Sequence, residues 1–573
     1  MSSNACAALG AGLLACVLAG APIAQTLPDR DGGALRFYPD DPLWHDNDMR
    51  SIPTPAVHPL SKSHEFVANT FGDTARSKGP ALNVNTLGEV PDSSWFTNRI
   101  GRNDMTVEEV LRGPDQVDGP AAGVWELTGR PVAGITPKFT IRDARGDTYI
   151  LKFDPASYPE LPSSVELLST KLFHAIGYHV PEDFVVSFTA DRLRVAANPQ
   201  GRRGVPRDAE MDTVEAWLRG IAAQPDGSYR ALASRYVPGT IVGQFKYTGR
   251  RPDDPNDLFP HERRRELRGM RVFAAWLNHD DARSINSIDT YVDEGGRRYI
   301  RHYMQDFGSN LGSGSTSAQQ PRGGYEYLIE RDKIGKGIVG LGLYQRPWMG
   351  IKWPEYPSVG NIEADVFDPA TWKTEYPNPA FQQLDAADAF WAASIVARFT
   401  DTMVRAVVEE ARLSDPKAAA YLAETIIKRR DKTVRWGVTA TNPVDRFTIE
   451  QGPAPALVFD NIAVRLGLAA DEMSYSVRWA PFDNRTGTTL PDQAPLETVR
   501  ARVPIPSGIW GPPDPAGIQY AVAAVATVTP QFNHWATPVR VTVRNRSGML
   551  DVVGIERPAA FPGRPTSATA TTR

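Results

Sequence analysis

Asp281 and Asn286 stand five residues apart in the polar stretch NHDDARSIN, and Asp306 follows twenty residues later at the end of an apolar, β-leaning run, YIRHYMQDFG. Far upstream, Lys152 is the single charge in the strand-like segment YILKF. Glu166, fourteen residues on, is the only acid in the helical pattern PSSVELLSTKLFHAIG. A lysine in an apolar strand needs a partner for its charge, and Glu166, the only acid inside the next helix, could supply one. A carboxylate that can orient a hydroxyl, oxygen donors for a hard divalent cation and a lysine for phosphate are together the parts that phosphoryl transfer requires. Asp281 is the candidate catalytic carboxylate, and Arg283 at +2 is a further candidate. Asn286 and Asp306 are the candidate metal ligands, and Lys152 with Glu166 is the candidate anchor for nucleotide phosphates. Asp280 is an ambiguous neighbour that could cap or bind metal, and His279 reads as a packed residue. The segment AGITPK (133–138) is the candidate phosphate loop. Gly134 allows close backbone approach, Thr136 falls within the loop and Lys138 adds charge.

The elements that must position these residues follow from periodicity. A short strand is expected over 124–127, then a hairpin with strands 139–142 and 148–153 turning at DARGD. The Arg145-Gly146-Asp147 triplet is read as turn chemistry, not as an adhesion motif. Val165, Leu168, Leu172 and Ile176 fall at helical spacing, so 162–177 reads as a helix with Ser163 and Ser164 as caps and Gly177 as its stop. Strands are expected over 179–189 and 229–237, with 190–230 otherwise looped apart from a helix near 213–222. A helix over 262–277 runs straight into NHDDARSIN, and a second hairpin, 288–292 and 299–304, delivers Asp306. The glycine-rich stretch 309–324 is where acceptor contacts are expected. Two long helices, 384–413 and 416–435, close this part of the chain.

The chain has 573 residues, 23% of them charged, and a net charge of −4, which permits a sizeable core and gives no reason to expect nucleic-acid binding. The basic cluster ERRRE at 262–266 is expected on a solvated helix face. The only cysteines, Cys6 and Cys16, lie in the uncharged run ACAALGAGLLACVLAGAPIA, so residues 1–24 read as a signal or anchor segment and the chain as exported to the periplasm, the cell surface or the medium. Cleavage, lipidation at Cys16 and an uncleaved membrane tether remain three readings of this run. Residues 25–115 read as an irregular extension that wraps a larger body, 438–557 as a small β-rich domain with sandwich-like patterning, and 558–573 as a disordered tail.

The order from Gly134 through Lys152, Glu166, Asp281 and Asn286 to Asp306 resembles the protein-kinase-like superfamily. Within it, AGITPKFTIRDARGDTYILKF followed by VELLSTKLFHAIGYHVPED resembles the N-terminal lobe of HipA-type kinases, and the atypical CotH-like kinases are a second point of similarity. The resemblance covers about residues 120–435. It implies an α+β, two-lobed fold with lobes over 116–240 and 241–437, and it implies ATP and Mg²⁺ or Mn²⁺ as cofactors. Carried over, it makes Lys152 and Glu166 the ion pair, Asp281 the catalytic Asp, and Asn286 and Asp306 the metal ligands. The expected function is an exported phosphotransferase acting on a protein, peptide or small hydroxyl acceptor. The alternatives are a catalytically inactive envelope scaffold or an AMP transferase on the same fold.

Overall fold

The structure is a computed structural model that describes residues 36–72, 77–129, 137–200, 213–330 and 346–562. The chain folds as a mixed α+β protein. The N-terminal extension carries two short helices, α1 (Lys62–Phe71) and α2 (Val107–Arg112). A six-stranded sheet follows, built from β1 (Trp125–Gly129), β2 (Lys138–Arg142), β3 (Thr148–Lys152), β4 (Asp183–Phe188), β5 (Leu193–Gln200) and β6 (Tyr229–Arg235) in the order β4-β6-β3-β2-β1-β5. All its pairings are antiparallel except β1 with β5. Helix α3 (Leu161–Ile176) connects β3 to β4, and the short α4 (Val214–Leu218) packs Trp217 into the sheet's own core. Strand alternation decides what faces where. In β3, Tyr149 and Leu151 enter that core, which leaves Ile150 and Lys152 on the opposite face.

Three further strands, β7 (Thr240–Gly243), β8 (Ser287–Glu294) and β9 (Arg297–Met304), form an antiparallel sheet around the second hairpin. Helix α5 (Arg265–Leu277) precedes the hairpin. Helices α6 (Pro379–Gln382), α7 (Ala386–Val396), α8 (Asp401–Glu410) and α9 (Pro416–Thr439) complete a helical body around it. The chain then forms two more sheets. One has three strands (Val444–Glu450, Ala456–Asn461, Arg502–Pro504), and a larger one runs through Ser474–Asp483, Gln519–Val528, Val539–Arg546 and Met549–Glu556. Their core side chains, Phe459, Tyr475 and Trp479 among them, are continuous with those of α5, α7 and α9.

The extension ties these parts together. Phe37 stacks on Tyr520 of the large C-terminal sheet (ring centroids 5.7 Å apart). The Ile52 amide donates to the Arg298 carbonyl of β9 (2.6 Å), and the Thr97 amide donates to Gly177 at the end of α3 (2.9 Å). Gly177 has φ 144° and sits so close to Phe96 that a Cβ there would collide with the ring.

Five expectations are corrected. The cluster Arg263, Arg264 and Arg265 is buried, not solvated. The extension lays carbonyls and acids over it: Arg263 Nε donates to Pro80 O (2.9 Å) and Arg265 Nη1 to Gly88 O (2.5 Å). Arg264 pairs with Asp257 (3.3 Å) and Glu266 (3.4 Å) beneath the Trp95 ring. The helix expected over 262–277 therefore starts later, at Arg265, after a 3₁₀ turn at His261–Arg263. Ser163 and Ser164 lie inside α3 instead of capping it. Asp154 serves that end, accepting from the Ser163 amide (2.8 Å) and hydroxyl (2.6 Å). The helix expected over 384–413 is two helices, because the chain turns after Val396 and Thr400 caps α8 by accepting from the Met403 amide (3.2 Å). Finally, 190–230 is not only loop. Leu193–Gln200 is an edge strand whose parallel pairing with β1 comes from a distant segment. The signal segment 1–24 and most of the tail lie outside the described residues. Among those described, no helix is long and apolar enough to cross a membrane.

Candidate functional site

Lys152 is the last residue of β3 and points away from the sheet's core toward α3. Its Nζ lies 2.5 Å from Glu166 Oε1, one turn and a half into α3, and 3.4 Å from Asp306 Oδ1. Three elements far apart in the chain thus converge on one ammonium group. A third acid, Asp183 at the start of β4, is buried nearby and accepts from the Thr170 hydroxyl of α3 (2.6 Å). Burial opposes charge on Lys152, but Glu166, Asp306 and Asp183 outweigh it and raise its pKa well above the usual lysine range. Burial pushes the Glu166 carboxyl up to about 7, reinforced by Asp183 and Asp306 and opposed by Lys152. Asp306 moves the other way. The Lys152 charge holds it below the usual carboxylate range, and Lys138 adds to the effect. Lys138 stands directly opposite Lys152 in the β2–β3 register. Burial, then the charge of Lys152, lower its pKa. Like charges facing each other across a strand pair are unfavourable, so this end of the β2–β3 pair favours anionic groups.

The second half of the site begins where α5 ends. Asn278 takes the left-handed conformation that closes the helix (φ 52°). The last carbonyls of α5 are met by Arg429 of α9, which is buried and donates to Ala275 O (2.6 Å) and Trp276 O (2.9 Å). A cation at a helix C-terminus satisfies both the orphan carbonyls and the helix dipole. It fixes the origin of the loop that carries Asp281. Arg283 forms an ion pair with Asp281 and a second one with Glu375 (2.9 Å), and its guanidinium lies over the Tyr376 ring at 5.7 Å. The Asn286 side chain donates to the Asp281 carbonyl (2.8 Å), which orients the amide and leaves its oxygen as a donor site. His279 is a packed residue between Phe173 and Phe307, and burial lowers its pKa to about 4. The Asp280 carboxyl is pushed up to about 7, by burial first and Glu375 second.

The β8–β9 hairpin brings the two halves together. Ser287 pairs with Met304, and the Gln305 amide donates to the Asn286 carbonyl (3.0 Å), so Asn286 and Asp306 occupy the same open end of the ladder. Asp306 itself is left-handed (φ 60°), a conformation Asp tolerates better than most residues, and strain of this kind gathers at functional positions. Phe307 anchors the turn by stacking on Phe173 of α3 (4.8 Å, 10° between planes). That contact couples α3, which carries Glu166, to the turn that carries Asp306. In the 309–324 stretch, Ser309 and Ser315 bond to each other through their hydroxyls (2.7 Å).

The arrangement therefore joins Lys152, Glu166, Lys138 and Asp306 on one side and Asp281, Arg283 and Asn286 on the other. Gly134 and Thr136 of the candidate phosphate loop lie outside the described residues. No family model, curated protein or solved structure matches the chain. The reading of the site rests on its own geometry. A hard divalent cation takes carboxylate and amide oxygens, and the residues fit such an ion. Asp306 is kept ionised by Lys152 and its side chain is 50% exposed, while the oriented oxygen of Asn286 lies at the same hairpin end. Two protein donors are few, and among the described residues no group of three or more His, Cys, Asp and Glu side chains gathers as a metal site. The remaining ligands would come from phosphate oxygens and water, the usual pattern for Mg²⁺. Four residues that shape the site escaped the reading of the sequence: Asp183, Glu375, Arg429 and Glu65. Asp183 follows Val-Pro-Glu at a strand start, but nothing in that spacing points to Lys152. The other three arrive from segments more than ninety residues away from the site residues they meet.

Proposed function

We propose that this chain is a kinase-like phosphotransferase on a two-lobed, protein-kinase-like fold, using ATP and Mg²⁺ or Mn²⁺ to phosphorylate a protein, peptide or small hydroxyl acceptor outside the cytoplasm. The observation that carries the proposal is the Lys152 ammonium bridging Glu166 and Asp306, with Asn286 at the same hairpin end as Asp306. Lys152, held in place by Glu166, meets the α- and β-phosphates, and Lys138 beside it adds a second charge. Asp306 and Asn286 would hold the cation, which would offset phosphate charge. Asp281 accepts the proton of the acceptor hydroxyl as its oxygen bonds to the γ-phosphorus. The bond from that phosphorus to the β–γ bridging oxygen breaks, and ADP leaves with the electron pair. Arg283 lies beside Asp281, where it can meet the charge on the transferred group.

AMP transfer would use the same donors and differ in which phosphorus is attacked. The mass added to the acceptor separates the two reactions. One observation favours a non-catalytic scaffold: the Asp281 side chain is only 15% exposed and is already paired with Arg283. The deciding experiment is nucleotide binding by the purified chain with Mg²⁺ or Mn²⁺, followed by thermal shift and calorimetry. Binding in the wild type and its loss in Asp306→Asn is the expected result. A wild-type chain that binds no nucleotide with either metal ends the enzymatic reading.

A further inference from the structure

The two ends of the site differ in access. The Asp306 side chain is half exposed, whereas those of Asp281 and Arg283 are 15% and 13% exposed. What lies against the closed end is α1 of the extension. Its inward residues include Glu65 and Phe66. The Glu65 carboxylate accepts from both the amide (3.0 Å) and the hydroxyl (2.6 Å) of Ser284, the residue after Arg283. Phe66 meets Tyr376 edge-on (5.4 Å), and Tyr376 is the ring under the Arg283 guanidinium. The two contacts therefore brace Arg283 from two directions while it covers Asp281.

The helix is held lightly. It has ten residues, none of them buried, and isolated helices of that length are marginal in water. Just before it, the Leu60 amide bonds to Gln244 (3.3 Å), so the segment is attached at its start. A helix that packs no residue of its own into the core, yet grips the loop carrying the candidate catalytic carboxylate, adds little to the stability of the body.

We propose that α1 is an intrasteric cover on the acceptor side of the site, locked by Glu65 and Phe66, and that an acceptor reaches Asp281 only when α1 is displaced. This rests on the phosphotransferase reading and adds its regulation. The nucleotide end is open with α1 in place, and the acceptor end is shut. An acceptor segment that displaces α1 must offer Ser284 and Tyr376 equivalent contacts, an acidic group and an aromatic ring.

The test labels carboxylates of the full chain with a water-soluble carbodiimide and an amine and locates the products by mass spectrometry. It compares wild type, Glu65→Ala/Phe66→Ala and Ser284→Ala, the last removing the hydroxyl donor from the opposite side. Asp281 should label about tenfold more than in wild type in Ser284→Ala, which is what one lost hydrogen bond to a charged acceptor is worth, and more than that in the double variant. Asp306 should label equally in all three. ATP turnover with a generic acidic acceptor peptide should rise in step with Asp281 labelling. The double variant should still unfold cooperatively, only a few degrees below wild type, and Ser284→Ala guards against an indirect effect of the helix substitutions. Equal Asp281 labelling in all three proteins overturns the cover. Absent nucleotide binding in the wild type instead sinks the phosphotransferase reading. Lys152-dependent nucleotide binding with no gain in labelling or turnover sinks only the role of α1.

Discussion

Lys152→Met is the sharpest perturbation of the site, because the ammonium is the one cation within 3.5 Å of both Glu166 and Asp306 among the described residues. The Lys152 and Glu166 side chains are both largely buried, so removing one partner strands a charge where water cannot reach it. Breaking a buried pair in this way costs about 3–5 kcal/mol, while replacing both members by apolar groups of similar size is often close to neutral. Lys152→Met should therefore lower the unfolding free energy by about that amount at pH 8, and Lys152→Met/Glu166→Leu should recover most of it. The pH dependence has a definite sign. Glu166 in the folded chain is already raised by burial to about 7 from an ordinary 4.5, and without Lys152 it rises further. The folded state then holds a proton that the unfolded chain has released, so the variant loses stability as pH climbs above 4.5. The wild-type carboxyl itself keeps its proton below about 7, so the deficit against wild type should be about 1.4 kcal/mol larger at pH 8 than at pH 5. Lys152 in the wild type is charged across this whole range and adds no slope of its own. Urea unfolding at the two pH values reads the stability, and calorimetry with ATP and Mg²⁺ reads the site. The double variant should regain stability but not nucleotide affinity, which falls at least about tenfold with the loss of one charge-assisted contact. A Lys152→Met protein as stable as wild type at pH 8 would refute the buried pair. A double variant that binds ATP like wild type would refute the phosphate-anchoring role.

Three further outcomes follow from the same geometry. Asp306 is held ionised by Lys152, so it should keep its metal oxygen down to pH 5, any fall in nucleotide affinity below pH 7 should vanish in Glu166→Gln, and Asp306→Asn should abolish the metal dependence; calorimetry with and without EDTA measures all three. Arg429→Met removes the donors that hold the last carbonyls of α5, and it should cost about 2–4 kcal/mol in urea unfolding and reduce turnover more than ATP affinity, because the Asp281 loop starts at those carbonyls. Arg264→Met leaves Asp257 and Glu266 without their shared cation and should cost about 3–5 kcal/mol, whereas Lys428→Met on the exposed face of α9 should change stability by less than about 0.5 kcal/mol.

The parts of the fold that were legible in the sequence are those governed by local rules. The β2–β3 hairpin announces itself by alternation about a turn in which Asp143 accepts from the amides of Arg145 and Asp147, both at 2.9 Å. Helix α3 is visible in the spacing of Val165, Leu168, Leu172 and Ile176, all of which are buried. What stayed hidden depends on distant chain. A run of three arginines looks like a solvated face until Pro80, Gly88 and Asp388 are brought to it from segments far away in sequence. The break after Val396 was hidden because the apolar α7 and the amphipathic α8 join through Ala-Arg-Phe-Thr, without Gly or Pro to mark the corner.

The site divides along the same line. The Lys152–Glu166 pair was readable because a lone charge in a strand and a lone acid in the next helix each need a partner; Asp306 joined them only through the kinase-like order of the residues, and its contact with Lys152 was not read. The state of Asp281 was not readable. Whether that carboxylate faces an acceptor or its own Arg283 depends on Glu375 and Tyr376, about ninety residues downstream, and on Glu65, more than two hundred upstream. Residue types and spacing specify which chemistry a site could perform. Access to it is decided by segments that carry no chemical signature, here a ten-residue helix that buries none of its own residues. Regulation of the site is accordingly to be sought in the extension and not in the Asp-Phe-Gly turn.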